Sequence, residues 1–160
     1  MTLDRLKIRG IDENDLDYIV EIDRKILGKK RPEYWKRKIG PSSFSPRPSL
    51  VAEIDGRVVG FILGYVSGFE FGIPNNVGWI DAIGIDPDHQ RRGIAKELLT
   101  QFINNLKKSG KEITPEAETS EIEGVNTIYT LVDWEDWGLI EFFHDMGFKK
   151  GNLLNLELKI

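Results

Sequence analysis

The residues best able to do chemistry stand in one run. Ile80-Asp81-Ala82-Ile83-Gly84-Ile85 leads through Asp86-Pro87-Asp88-His89 into Gln90-Arg91-Arg92-Gly93-Ile94-Ala95. An apolar strand ends in a proline turn and feeds a helix, so Arg91 and Arg92 fall at the helix start. A helix N-terminus carries partial positive charge, and cations are disfavoured there. An anion bound between them removes the conflict. Gly93 lets the backbone come close and present its N–H groups, and with the helix dipole and two guanidiniums these would grip a pyrophosphate. The same residues also fit an exposed basic helix start, partly neutralised by Asp86 and Asp88. Asp81 is a charge inside an apolar strand and needs a partner or a job. Strand alternation puts its side chain on the face of Trp79 and Ile83. His89, in the turn, and His144, on a helix surface, do not read as a metal pair. Without cysteine there is no disulfide, no thiolate zinc site and no thiol nucleophile.

The elements around this run follow from hydrophobic periodicity and punctuation. Leu3 to Ile11 reads as a first strand, and Asp12 as an N-cap for a helix carrying Leu16, Ile19, Val20, Ile26 and Leu27 up to Gly28. Pro32 suits the first turn of a short helix with Tyr34, Trp35 and Ile39, stopped by Gly40-Pro41. Residues 40–49, rich in proline and serine, read as an ordered loop. Leu50–Ile54 and Val58–Val66 are strands joined at Asp55-Gly56, whose positions both need positive φ. Asn75-Asn76 marks a turn before a fourth strand, Val77–Ile85. Ile94, Ala95, Leu98, Leu99, Phe102, Ile103 and Leu106 form one helical stripe ended by Ser109-Gly110. Residues 111–125 are an acidic loop and Thr127–Val132 a fifth strand. Trp134–Met146 reads as a helix closed by Gly147, with Trp134, Trp137, Phe142 and Phe143 as core and cleft lining. Leu154–Ile160 alternates and reads as the last strand. Early hairpins followed by strand-helix-strand-helix-strand predict a mixed α/β (α+β) domain, residues 1–160, with a largely antiparallel sheet.

Composition narrows the class. A length of 160 residues with 40% hydrophobic and 30% charged residues fits one folded domain. The longest apolar run, Val58–Val66, is far short of the about twenty residues of a membrane helix. Gly60 and Gly64 lie in a strand and are no membrane dimer motif. The acidic start, Met1-Thr2-Leu3-Asp4, gives no secretory signal, so a cytoplasmic location is expected. A net charge of −4 argues against non-specific nucleic-acid binding. The charge is polarised. Residues 24–38 hold eight Lys and Arg against Glu33 alone, while 112–145 hold ten acids and no Lys or Arg. These are two solvated faces, or a polarised molecule whose acidic side favours a cationic partner. Dinucleotide-fold and P-loop glycine patterns are absent.

Gln90-Arg91-Arg92-Gly93-Ile94-Ala95 resembles the Q/R-x-x-G-x-G/A signature of the GNAT superfamily of N-acetyltransferases. Phe142-Phe143-His144-Asp145-Met146-Gly147-Phe148 is similar to that family's late aromatic segment, and the element order agrees over essentially the whole chain. The resemblance implies a GNAT fold: a six- to seven-stranded, mostly antiparallel sheet, about four flanking helices, and two splayed strands holding the CoA arm. It implies acetyl-CoA as cosubstrate, no metal, and acetyl transfer to a primary amine. By position, the backbone of Ile83, Gly84 and Ile85 would hold the pantetheine arm. Gln90 would open the loop, and Arg91, Arg92, Gly93, Ile94, Ala95 and Lys96 would wrap the pyrophosphate. The family's usual acid is a Tyr where this chain has Phe143, which has no proton to give; Tyr129, His144 or water are its stand-ins. Asp136 replaces a pantetheine-binding Asn, or caps the helix. The base or amine ligand falls to Asp81 or to Asp133, because the fifth-strand position that matches some members is Leu131. A GNAT-fold acyl-CoA sensor with little turnover is the rival expectation. The expected partners are acetyl-CoA and an amine acceptor, which the acidic stretch tilts toward a cationic one, with a homodimer through an edge strand at Leu154–Ile160, no nucleic acid and no membrane.

Overall fold

The computed structural model describes residues 3–39, 48–67, 77–109 and 125–160. The expected loop over 40–47, the Asn75-Asn76 turn and most of the acidic loop lie outside these residues. The chain divides into two compact units, up to Thr130 and from Leu131 onward.

The first unit is built on a five-stranded sheet in the order β1-β2-β3-β4-β5: β1 (Leu6–Gly10), β2 (Leu50–Ile54), β3 (Arg57–Ser67), β4 (Val77–Ile85) and β5 (Thr127–Thr130). The first three pairings are antiparallel and β4–β5 is parallel. A parallel pair needs a crossover, and helix α3 (Ile94–Ser109) lies between these strands in sequence. The β2–β3 hairpin turns at Asp55 and Gly56, both with positive φ, 51° and 79°. Leu3–Arg5, expected as the start of β1, is a 3-10 turn instead. Asp12 caps a second 3-10 turn, Glu13–Asp15, rather than α1 (Leu16–Leu27) itself. Asp15 is buried and accepts two hydrogen bonds of 2.8 Å from Arg9, which also donates to Glu53 at 2.9 Å.

The sheet has two covered faces. Phe61 and Leu63 join Ile19, Ile22, Trp35 and Ile39 in the cluster under α1 and α2 (Pro32–Ile39). On the other face lies α3, whose Leu98, Leu99 and Phe102 are fully buried. Gly60, Gly64 and Gly78 face it, since a Cβ at these positions would meet Leu98, Phe102 and Leu106 respectively. Absence of side chains there lets the helix sit close. Each fully buried Leu or Phe contributes about 1.5–3 kcal/mol, so the apolar stripe read from sequence is what seats α3.

In the second unit, helix α4 spans Trp137–Asp145, three residues shorter at its start than expected. Its end is a Schellman motif: Gly147 has φ 91°, its N–H donates to His144, and the Phe148 N–H donates to Phe143. Phe148 packs on Phe143 at 4.9 Å, the apolar contact that accompanies this motif. Two expectations fail here. Leu154–Ile160 forms no strand, and Leu154, Leu156 and Leu158 are more than 80% exposed. Alternation marks strand propensity, but a strand needs a neighbour's hydrogen-bond ladder. The described sheet therefore has five strands rather than six or seven. Trp134 and Trp137, expected in core or cleft, are exposed, whereas Phe143 is buried and packs against Phe142.

Candidate active site

The strand that ends at the Arg91–Arg92 loop is only half paired. β4 matches β5 from Val77 to Ile80, and pairing stops where the Thr130 hydroxyl donates to the Ile80 carbonyl at 3.1 Å. From Asp81 to Ile85 β4 has no partner on that side among the described residues. The backbone of Ile83, Gly84 and Ile85 thus lies on a free edge, able to pair with an extended, amide-bearing ligand.

The turn after β4 is pinned from within. The buried Asp86 donates its N–H to Val59 at 2.8 Å, and its carboxylate accepts the Asp88 N–H at 3.1 Å. Lys25, reaching from α1, donates to both Asp86 oxygens (2.8 and 3.0 Å) and to Asp88 (2.7 Å). Burial pushes the Asp86 carboxyl up, but the Lys25 hydrogen bond and the Asp88 N–H prevail and hold it below the usual carboxylate range. The two carboxylates offered as neutralisers of the arginines are thus engaged by Lys25. No carboxylate of the described residues lies within ion-pair distance of Arg91 or Arg92; Arg92 donates instead to the Asp88 carbonyl at 3.0 Å.

The loop backbone is unusual. Gln90 is extended and its amide donates to the Ile85 carbonyl at 3.3 Å. Arg91 has φ 61° and Gly93 φ 79°, both left-handed. For a non-glycine residue that costs about 1–2 kcal/mol, and such outliers gather at functional loops. The Gly93 carbonyl accepts the Glu97 N–H at 3.0 Å, the first bond of α3. The N–H groups just before Glu97 have no partner within the helix. Backbone donors, dipole and two exposed guanidiniums together make a cradle able to accept an anion.

Asp81 stands at a β-bulge. Leu63 pairs with Ala82 and Gly64 with Ile80, so Asp81 faces no residue of β3. The extra residue breaks the alternation expected from sequence. Ile83 pairs with Ile62, between the glycines on the α3 face, whereas Asp81 meets Lys38 of α2. Asp81 therefore does not share a face with Ile83. The Lys38 ammonium donates to Asp81 Oδ2 at 2.6 Å, in a pair with side chains 38% and 31% exposed. It also lies 5.7 Å from the Tyr34 ring. Across three strands beside Asp81 runs a row of rings, Tyr65, Trp79 and Tyr129, with successive centroids 6.3 and 5.2 Å apart.

The remaining candidates belong to the second unit. β5 ends at Thr130, so Asp133 is not carried on that strand; it sits in a turn and accepts the Glu135 N–H at 2.9 Å. Asp136 caps α4, accepting the Leu139 N–H at 3.0 Å. Phe143 is buried, Leu131 is exposed, and His144 is an exposed helix-surface residue. In the first unit, His89 is half-buried, and its Nδ1 is buried without a hydrogen-bond partner. No group of three or more His, Asp or Glu able to hold a metal occurs among the described residues. No helix among them is long and apolar enough to cross a membrane. Sequence reasoning missed Lys25 and Lys38, whose partners lie 61 and 43 residues away. No local spacing connects such pairs.

Comparison with known proteins agrees with this geometry. The family model described as Acetyltransferase (GNAT) family matches residues 16–128. An uncharacterized N-acetyltransferase of Methanocaldococcus jannaschii is 27% identical over 96% of this chain, and the chain spans 65% of that relative's length. A transcriptional regulator from Bacillus halodurans C-125 superposes with TM-score 0.74, covering 97% of this chain and 99% of its own, at 18% identity. An aminoglycoside N-acetyltransferase in complex with CoA gives TM-score 0.69 over 96% of this chain and 94% of its own, at 14% identity. These structural likenesses establish the fold. The family model spans both the half-free β4 and the cradle that follows it, and on that match the chain belongs to the acetyltransferase (GNAT) family.

Proposed function

We propose that the protein transfers an acetyl group from acetyl-CoA to a primary amine of a small molecule, protein or peptide, by direct attack in a ternary complex. The observation that carries this reading is the β4–α3 junction. Two guanidiniums without carboxylate partners among the described residues, and a left-handed Arg91, follow directly on the stretch of β4 that no described strand pairs on its β5 side. That arrangement suits a cosubstrate with a pyrophosphate at one end and an amide-bearing arm at the other. Arg91 to Lys96 wrap the pyrophosphate, with Gln90 opening the loop, and Ile83 to Ile85 pair with the arm through their backbone. The CoA bound in one structural neighbour supports the same reading.

The amine arrives as an ammonium and gives up a proton, directly or through water. Its nitrogen attacks the thioester carbonyl, a strand N–H stabilises the oxyanion, the C–S bond breaks and CoA thiolate leaves. Asp81 is the carboxylate proposed as base or amine ligand, with Asp133 second. Phe143 gives no proton, but a thiol with pKa about 8.5 is a fair leaving group, and water can protonate it. Asp81 beside a row of aromatic rings, together with the acidic stretch 112–145, favours a cationic acceptor. The exposed leucines of Leu154–Ile160 are the surface proposed for homodimerisation, and the cytoplasm is the proposed location.

Thiol release from acetyl-CoA against polyamines, aminoglycosides, amino acids and short peptides tests the activity, with acetyl-CoA binding measured calorimetrically on the same samples. Amine-dependent release is expected, and Asp81→Asn is expected to bind acetyl-CoA normally and turn over about a hundredfold more slowly. One observation favours a second reading, an acyl-CoA sensor: the buried Phe143 where the family's acid stands. Tight binding with no release from any amine would favour it, and no binding would sink the cosubstrate assignment.

A further inference from the structure

We propose that Lys38 occupies the acceptor's ammonium seat at Asp81 in the acceptor-free protein, and that a cationic amine substrate enters by displacing it. The inference deepens the proposed function and rests on Asp81 being the acceptor-side carboxylate.

α2 carries three consecutive cations, and they behave differently. Lys36 pairs within the helix with Glu33 at 2.9 Å, and Arg37 donates to the Glu33 carbonyl at 3.3 Å. Lys38 alone of the three crosses to the sheet, to the one β4 residue that the bulge leaves opposite nothing on β3. A bulge re-aims a side chain, and here the re-aimed group is a carboxylate. What surrounds the Lys38 ammonium is what recognises an amine cation generally: a carboxylate at 2.6 Å and an aromatic face at 5.7 Å. α2 is itself held in place. Arg31, just before it, donates twice to the buried Asp23 of α1 (2.9 and 2.8 Å) and stacks over Tyr34 at 4.5 Å.

The seat also stands where it is needed. β5 pairing ends at Ile80 and the free edge of β4 begins at Asp81, so an ammonium at Asp81 is at the head of the edge proposed for the thioester arm. A partly exposed ion pair is weak because water screens it, so exchange of one ammonium for another is cheap. A lysine is a cation at neutral pH, and the hydrogen bond to Asp81 raises the Lys38 pKa further, so the seat holds an ammonium as it would hold the acceptor's.

The test is calorimetric titration of the full chain, loaded with CoA, using spermidine as the polyamine probe. Lys38→Met is expected to bind spermidine about two- to fivefold more tightly than wild type. Lys38→Arg, which keeps a cation, is expected to stay within twofold of wild type. Asp81→Asn is expected to weaken binding, and Lys38→Met added to Asp81→Asn to bring no gain. In turnover the gain appears as a lower acceptor KM. Unchanged or weaker spermidine binding by Lys38→Met, with its melting temperature preserved, would overturn the proposal. So would an equal gain in the Asp81→Asn background, and so would no spermidine binding by wild type and Lys38→Met alike. Loss of CoA binding in the wild type would instead strike the proposed function, and the spermidine comparison, run without CoA, would still decide on Lys38.

Discussion

The two helix starts at α3 and α4 are built on opposite principles. At α4, Asp136 accepts the Leu139 N–H and Asp133 accepts the Glu135 N–H, so the chain's own carboxylates answer the exposed donors. At α3, the residue whose carbonyl takes the first helical bond is Gly93, which has no side chain, and two arginines precede it. The acids nearest in sequence are engaged by Lys25. A structural helix start is capped from within, whereas one whose donors and cations meet no carboxylate among the described residues suits the anion proposed for it.

Four measurements break or sharpen that contrast. Gly93→Asp gives α3 a carboxylate of its own where the pyrophosphate is proposed to sit. Calorimetry is expected to show acetyl-CoA affinity falling more than a hundredfold, since like charge and lost hydrogen bonds act together; retained binding would break the comparison. The Arg91→Ala, Arg92→Ala double variant removes the cations and leaves the backbone cradle. A loss of about a hundredfold is expected, at about 1.5 kcal/mol for each arginine, the low end for a charge-assisted hydrogen bond, together with a shallower salt dependence.

Lys25→Met removes the cation hydrogen-bonded to the buried Asp86 and leaves it the Arg57 guanidinium at 3.9 Å, and denaturant unfolding is expected to show a lower midpoint than wild type. It also changes the acid limb of stability. Asp86 has its folded pKa below the unfolded value of about 3.9, so it contributes stability that is present above that pH. The contribution is lost as pH falls through the lower folded value. With Lys25 removed, the depression shrinks and stability below about pH 4 is expected to fall less steeply than in wild type. The smallest effect belongs to Asp136→Ala. Loss of one N-cap is worth about 1 kcal/mol, expected in helicity and unfolding of the second unit; a loss well above that would mean that Asp136 does more than cap.

What was legible in the residues was local. Asp55-Gly56 announced a hairpin because few residues tolerate two positive φ values in succession, and the stripe from Ile94 to Leu106 announced α3 because burial on one face repeats every turn. Gly147 ended α4 as expected because the Schellman geometry uses only neighbouring carbonyls. The cradle was legible for the same reason, since all its parts lie within Gln90–Lys96. The site around Asp81 was not. Its face depended on a bulge set by the register of β3 against β4, which an alternating pattern cannot register. Leu154–Ile160 shows the converse: a clean alternation that is no strand, because no ladder pairs it among the described residues.

The sequence by itself determined most of the elements, the family signature and the residues of the proposed anion cradle, because each depends on contacts within a turn or two of the chain. Tertiary structure alone decided the cations of Asp86 and Asp81. Lys25 meets Asp86, and Lys38 meets Asp81, only after helices packed against the sheet bring them across dozens of residues. Ion pairing depends on distance in space: the packing of α1 engages Asp86 and Asp88, so that Arg91 and Arg92 have no carboxylate partner among the described residues, and the packing of α2 gives Asp81 a cation.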